Sequence, residues 1–229
     1  YPNFNRQWYL SNDQIACISR VTHDIIQTVV PEVESSYIPH AVNDEIFKPF
    51  DSKQVKQYRQ DKDLDDKFVC LFNSRNARRK QTGSLIWWFK EFLDVVGHDK
   101  AVLIMHTDTK DGNGQDLDAI LHELKLVNGE VLFSRDKVDA GSLAMMYNMA
   151  DLTINISDAE GFGLSTLESL SCGTPIMVNM TGGLQDQVTD GENWFGIGLE
   201  PVSKTIIGSQ EVPYIHEDRI SEKDFNAAL

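Results

Sequence analysis

Short runs of β-branched and apolar residues alternate along the chain with longer segments in which apolar residues recur at three-and-four spacing. The short runs predict buried strands and the longer segments predict amphipathic helices. The segment 82–96 has the helical pattern, with apolar side chains at Leu85, Trp88, Phe89 and Phe92. Regular alternation of strand and helix predicts an α/β fold: a Rossmann-like parallel sheet with helices on both faces.

The pattern places these elements along most of the chain. The predicted strands are 15–19, 67–72, 101–105, 130–133, 152–156 and 175–178. The predicted helices are 21–28, 82–96, 117–125, 140–150 and 164–171. Charged residues dominate 51–67, which predicts a solvated helix with a loop, and 108–115 predicts an exposed turn. Beyond residue 196 the periodicity weakens, and 198–218 predicts an extended excursion.

Composition narrows the classes of protein to consider. The chain has 229 residues, 41% hydrophobic and 24% charged, which excludes a disordered tail and a disulfide-stapled miniprotein. Its net charge of -14 argues against a general nucleic-acid binder. Apolar runs such as 101–105 are far shorter than the ~20 residues that cross a bilayer. Three scattered cysteines favour neither disulfides nor a zinc site, and we expect a cytoplasmic protein.

A cluster of cations follows the second predicted strand, where the sequence 73–80 reads NSRNARRK. It holds Arg75, Arg78, Arg79 and Lys80, a local reversal of charge in an acidic chain. Parallel sheets bind ligands beyond the carboxyl ends of their strands, so this loop is a candidate anion site. A solvated loop before a helix is the alternative interpretation.

A second candidate loop, 157–172, reads SDAEGFGLSTLESLSC and joins a predicted strand to a predicted helix. Gly161 and Gly163 would allow close backbone approach, and the N–H groups at the helix start would be free for an anion. Glu160 and Glu168 are suited to accept hydrogen bonds from the hydroxyl groups of a sugar or ribose. Two solvated surface carboxylates would have the same spacing, so that interpretation stays open.

Several motifs occur here in the order and spacing of a known family. Together they resemble the C-terminal region of the retaining glycosyltransferases with the two-domain GT-B fold, family GT4. The motifs are Ile38-Pro39-His40-Ala41-Val42-Asn43 with Phe47, the pair Arg75 and Lys80, Glu160-Gly161-Phe162-Gly163-Leu164 with Glu168, Cys172-Gly173-Thr174-Pro175, and Gly182-Gly183. The family usually has glycine where this chain has Ser74, Gln81 and Ala41.

The resemblance implies a site for a nucleotide-diphosphate sugar. Arg75 and Lys80, with the N–H groups of Gly163, Leu164 and Ser165, would bind the donor diphosphate. Fixed cations would replace a metal, and the six histidines are scattered, so we expect neither a metal nor another cofactor.

The same resemblance assigns the remaining parts of the donor. Glu168 would accept hydrogen bonds from the ribose. Glu160, Gly161 and Phe162 would contact the donor sugar, with Glu160 as the catalytic residue. Backbone groups of 134–139 would hold the nucleobase.

The resemblance also implies a division of the protein. Residues 1–37 would be a remnant of the N-terminal acceptor domain with the interdomain segment, and 38–229 the nucleotide-sugar-binding domain. We expect a fragment of a longer chain, inactive alone, whose carbohydrate or other glycosyl acceptor is bound mainly by the absent domain. Two alternatives stay open: a binding module completed by a separate acceptor-domain chain, and a GT-B nucleotide-sugar epimerase.

Overall fold

A computed structural model describes residues 2–229. The strands are β1 Gln14–Cys17, β2 Glu34–Tyr37, β3 Phe68–Asn73, β4 Ala101–His106, β5 Val131–Ser134, β6 Leu152–Asn155, β7 Ile176–Asn179, β8 Gly196–Leu199, β9 Ser203–Ile207 and β10 Ile215–Arg219. The helices are α1 Pro2–Leu10, α2 Arg20–Val29, α3 Ser52–Gln60, α4 Thr82–Val96, α5 Leu117–Glu123, α6 Ala140–Met149, α7 Leu164–Ser171, α8 Gln185–Val188 and α9 Glu222–Ala228. Two short 3₁₀ helices are Arg78–Lys80 and Gly182–Leu184.

Six parallel strands form the central sheet in the order β5-β4-β3-β6-β7-β8. From β3 the chain adds β4 and β5 on one side of that strand, and it then returns to add β6, β7 and β8 on the other side. The strand order therefore reverses between β3 and β6, which is where open α/β sheets form a ligand-binding crevice. The predicted Rossmann-like α/β fold is confirmed.

Apolar layers cover both faces of this sheet. Side chains alternate along β3, so Cys70 and Phe72 join one buried cluster while Val69 and Leu71 join the other. The first cluster contains α4 and α9, and the second contains α3 and α6. Because both faces are buried, the strands are almost continuously apolar, and the sequence pattern was clearest there.

The N-terminal segment forms a small layer of its own. Strands β1 and β2 pair in parallel, and Cys17, Ile26 and Val30 belong to a separate apolar cluster beneath α2. Its contacts with the rest of the chain include the Arg20 N–H, which donates to Asp186 Oδ2 at 2.7 Å, and the Phe4 ring, whose centroid lies 5.8 Å from that of Tyr214. That it is the remnant of an acceptor domain stays a prediction.

The predicted excursion over 198–218 is wrong in its details. After β8 completes the sheet, β9 and β10 form an antiparallel hairpin in which Thr205 pairs with Glu217. Strand β10 has the sequence IHEDR, in which charged side chains occupy positions that are apolar in a typical strand. The carboxylates and the guanidinium group of β10 are held by ion pairs rather than by an apolar core, which is why the apolar pattern does not predict this strand.

No helix within residues 2–229 combines the length and apolar character needed to cross a membrane.

Candidate functional site

The two candidate loops meet beyond the carboxyl ends of β3 and β6. These strands are neighbours, with Cys70 opposite Leu152 and Leu71 opposite Thr153. The loops themselves are joined by a backbone hydrogen bond, in which the Asp158 N–H donates to the Arg79 carbonyl at 2.8 Å. The sheet order thus brings together two motifs that are far apart in sequence.

Lys80 and Glu160 form the centre of this junction. The Lys80 ammonium donates to Glu160 Oε2, and Arg79 Nη1 lies 3.4 Å from the same oxygen. The Lys80 side chain is only 8% exposed, and burial lowers its pKa although Glu160 opposes that shift. Lys80 and the loop carboxylate Glu160, with side chains 8% and 12% exposed, are therefore the most strongly desolvated ion pair of the two loops.

The other two arginines of the basic loop face carboxylates from distant segments. Arg75 Nη2 donates to Asp111 Oδ1 at 3.0 Å, and this guanidinium holds the pKa of Asp111 well below its usual range. Arg78 binds Glu217 through two hydrogen bonds of 3.0 and 2.5 Å. Sequence reasoning missed both acidic partners, because Asp111 lies in the predicted exposed turn and Glu217 in the predicted excursion.

The acidic loop is held in place by glycines of the segment after β7. The Gly183 N–H donates to the Glu160 carbonyl at 3.1 Å. A Cβ at Gly182, whose φ is +49°, would lie only 1.9 Å from that same carbonyl oxygen. The motif Gly182-Gly183 is thus needed for the close approach of two backbones at Glu160.

Helix α7 begins at this loop with Gly163 as its N-cap, in the left-handed region at φ +90°. No side chain of the described residues caps α7, so the first-turn N–H groups of Leu164 and Ser165 are available to an anion. Both predicted diphosphate-binding elements, the basic loop and this helix start, lie at the same end of the sheet. That these two elements bind a diphosphate stays a prediction.

Glu168 lies one turn into α7, half-buried, and the Tyr147 hydroxyl donates to its Oε2 at 2.7 Å. Burial raises the pKa of Glu168, and the hydrogen bond from Tyr147 partly opposes this. A carboxylate held in this way can still accept a hydrogen bond from a hydroxyl group through its second oxygen.

The residues predicted to contact the sugar are not all on one surface. Glu160 and Gly161 line an open cavity of about 450 Å³, bounded on its other sides by Tyr9 and Lys204. Phe162 is instead buried edge-to-face against His40, with ring centroids 5.0 Å apart, and lines a different cavity. The Phe162 side chain is therefore packed away from the Glu160 cavity.

The predicted base-binding loop 134–139 begins at the carboxyl end of β5. Its first side chain, Ser134, hydrogen-bonds His106 Nδ1 at 2.9 Å, and burial lowers the pKa of that histidine. Its last side chain, Asp139, caps α6 by accepting from the Ser142 N–H at 2.9 Å. Both ends of the loop are thus fixed, and the residues between them, 135–138, are exposed. Within residues 2–229, no three His, Cys, Asp or Glu side chains are grouped as metal ligands.

The family model described as "Glycosyl transferases group 1" matches residues 54–202, which include the basic loop, the acidic loop and α7. The chain belongs to this family. Its fold is that of the C-terminal domain of a GT-B glycosyltransferase, as the resemblance predicts.

Individual relatives agree with the family assignment. N-acetyl-alpha-D-glucosaminyl L-malate synthase of Bacillus anthracis is 23% identical over 225 residues, covering 96% of this chain and 55% of that protein. Sucrose-phosphate synthase from Thermosynechococcus elongatus superposes with a TM-score of 0.74 at 21% identity, over 98% of this chain and 50% of that one. Anabaena HepE, solved in complex with UDP-glucose, gives 0.69 at 18% identity, over 89% of this chain and 55% of that one. The chain thus spans about half the length of these proteins.

Proposed function

We propose that the chain is the donor-binding domain of a glycosyltransferase, which binds a nucleotide-diphosphate sugar for transfer of the glycosyl group to an acceptor hydroxyl. The observation that carries this proposal is the contact between Lys80 and Glu160 beside the uncapped start of α7. Cationic, amide and carboxylate groups converge there, and a diphosphate joined to a sugar needs all three. The UDP-glucose bound by the structurally similar HepE supports the same class of ligand.

In the proposed reaction the bond from the anomeric carbon to the diphosphate breaks, and the acceptor oxygen bonds to that carbon. The acceptor's proton passes to the leaving phosphate, on which negative charge grows as the bond breaks. Lys80, Arg75 and the N–H groups at the start of α7 stabilise that charge, because fixed donors strengthen as charge develops. Glu160 contacts the sugar and balances the positive charge that grows on its ring. Retention of the anomeric configuration and independence from a metal belong to this proposal, as implied by the family resemblance.

Binding of the acceptor is assigned to a further domain. The cavity beside Glu160 is open and only partly walled by residues of this chain. We therefore propose that these 229 residues bind the donor and transfer no sugar on their own.

A thermal-shift screen with UDP, ADP and GDP tests the proposal, followed by calorimetry on the best ligand. We expect one nucleoside diphosphate to raise the melting temperature, since a ligand at 100 times its Kd adds about 2.7 kcal/mol of stability. Lys80→Ala should weaken that ligand, whereas Lys100→Ala, which removes an exposed lysine paired with Asp99, should not. Absence of binding by all three nucleotides, or equal losses in the two variants, would contradict the proposal.

A further inference from the structure

A buried tyrosine hydroxyl links two ends of the site. Tyr147 on α6 is completely buried, and its Oη lies between Asn73, the last residue of β3, and Glu168 on α7. Asn73 Nδ2 donates to Tyr147 Oη at 2.7 Å, and that hydroxyl donates to Glu168 Oε2, also at 2.7 Å. Three elements of the crevice are thus joined by one chain of hydrogen bonds.

The direction of the two hydrogen bonds is fixed by the chemistry of the three side chains. The Asn73 amide nitrogen is only a donor, so the tyrosine oxygen accepts from it and the O–H hydrogen is left for Glu168. Burial and the charge of Glu168 both raise the pKa of Tyr147, which keeps this hydrogen in place. Tyr147 is the one hydrogen-bonding partner of the Glu168 carboxylate that the structure gives among residues 2–229, and Oε1 is left for another donor.

We propose that Tyr147 is a positioning residue, whose hydroxyl orients Glu168 so that Oε1 accepts from the ribose and the site prefers ribonucleotide over deoxyribonucleotide donors. This inference rests on the proposed function. A carboxylate with one oxygen anchored loses rotational freedom before the ligand arrives, and the second oxygen then gains more from a ribose hydroxyl. A donor without ribose hydroxyls gains nothing from the same anchoring.

The tyrosine also has structural roles that must be separated from this one. Its ring packs against Phe47 with centroids 6.2 Å apart, and its carbonyl accepts from Thr174 Oγ1 at 2.7 Å. Both contacts survive in Tyr147→Phe, which removes only the hydroxyl. Tyr58→Phe, on α3 and without a hydrogen bond to Glu168, is the matched control.

Calorimetry with UDP and 2′,3′-dideoxy-UDP on the wild-type chain and both variants tests the proposal. If ADP or GDP binds better than UDP, that nucleotide and its 2′,3′-dideoxy form are used instead. We expect Tyr147→Phe to weaken the ribonucleotide about tenfold and to leave the dideoxynucleotide unchanged, since only the former uses Glu168. Tyr58→Phe should change neither. If Tyr147→Phe does not fold, Asn73→Ala, which frees the hydroxyl to rotate, should produce a smaller loss with the same ribose dependence.

Equal losses for the ribonucleotide and the dideoxynucleotide would assign Tyr147 a purely structural role and overturn the inference. Unchanged ribonucleotide affinity in a folded Tyr147→Phe protein would overturn it as well. Failure of the proposed function looks different, because the wild-type chain would then bind none of the nucleoside diphosphates.

Discussion

Lys80 and Glu160 lie 80 positions apart in sequence and form an ion pair at the carboxyl ends of neighbouring strands. The pair exists because β6 returns to the side of β3 that β4 leaves free. Each group is a counterion of the other. In the proposed donor site, a diphosphate would therefore share Lys80 with Glu160 or replace Glu160 as its partner.

Lys80→Ala should weaken nucleoside diphosphate binding more than Arg75→Ala. Lys80 is fixed and nearly buried, so its contact is worth about 2 kcal/mol, whereas Arg75 is 63% exposed and screened by solvent. Calorimetry on the two variants measures the difference. A larger loss in Arg75→Ala would mean that the exposed arginine, and not the buried lysine, carries the diphosphate contact.

Nucleotide binding should weaken at acid pH through Glu168. Because burial raises the pKa of this carboxyl, its proton returns above the ordinary glutamate range of ~4.3 as the pH falls. The protonated form can no longer act as a full acceptor for ribose. The measurement is the pH dependence of Kd for UDP relative to 2′,3′-dideoxy-UDP, which shares its phosphate titration. Parallel pH profiles for the two ligands would rule out this role of Glu168.

Gly182→Ala should destabilise the fold and weaken nucleotide binding together. The new Cβ would lie 1.9 Å from the Glu160 carbonyl oxygen, so the acidic loop must shift. Gly191 also has a positive φ, +96°, but a Cβ there meets nothing within 4 Å, which makes Gly191→Ala a matched control. We expect Gly182→Ala to lose about 2 kcal/mol more in urea unfolding than this control. Similar losses in both variants would limit the effect to backbone strain.

Arg78→Ala should lower the free energy of unfolding by about 1–2 kcal/mol. The Glu217 carboxylate is 2% exposed and would lose its bidentate partner, although Arg219 at 3.6 Å compensates in part. The Arg78 side chain is itself 55% exposed, so the loss is smaller than for a fully buried pair. In Arg78→Ala/Glu217→Gln, removal of both charges should restore part of the stability in urea. A double variant less stable than Arg78→Ala would contradict this account.

The sequence pattern predicts the buried parts of the fold and of the site far better than the exposed parts. Helices 82–96 and 164–171 have the predicted bounds, because burial on one face requires regular apolar spacing. Strand β8, with the sequence GIGL, carries too little apolar signal and is missed, and helix α1 is missed as well. The two loops are found because each follows a predicted strand and each carries a distinctive group of charged residues. Their counterions are missed, since nothing local in the sequence indicates that Asp111 or Glu217 folds back onto an arginine.

The hydrogen bonds and ion pairs of the basic loop have a consequence for competition between anions. Carboxylates from three other segments, at Asp111, Glu160 and Glu217, already face its cations. Chloride or free phosphate would displace a tethered carboxylate without adding new contacts, so both should be poor competitors. A larger ligand that reaches α7 and Glu168 gains contacts that no tethered carboxylate makes. In the proposed donor site, these carboxylates would therefore favour a nucleoside diphosphate over chloride or free phosphate.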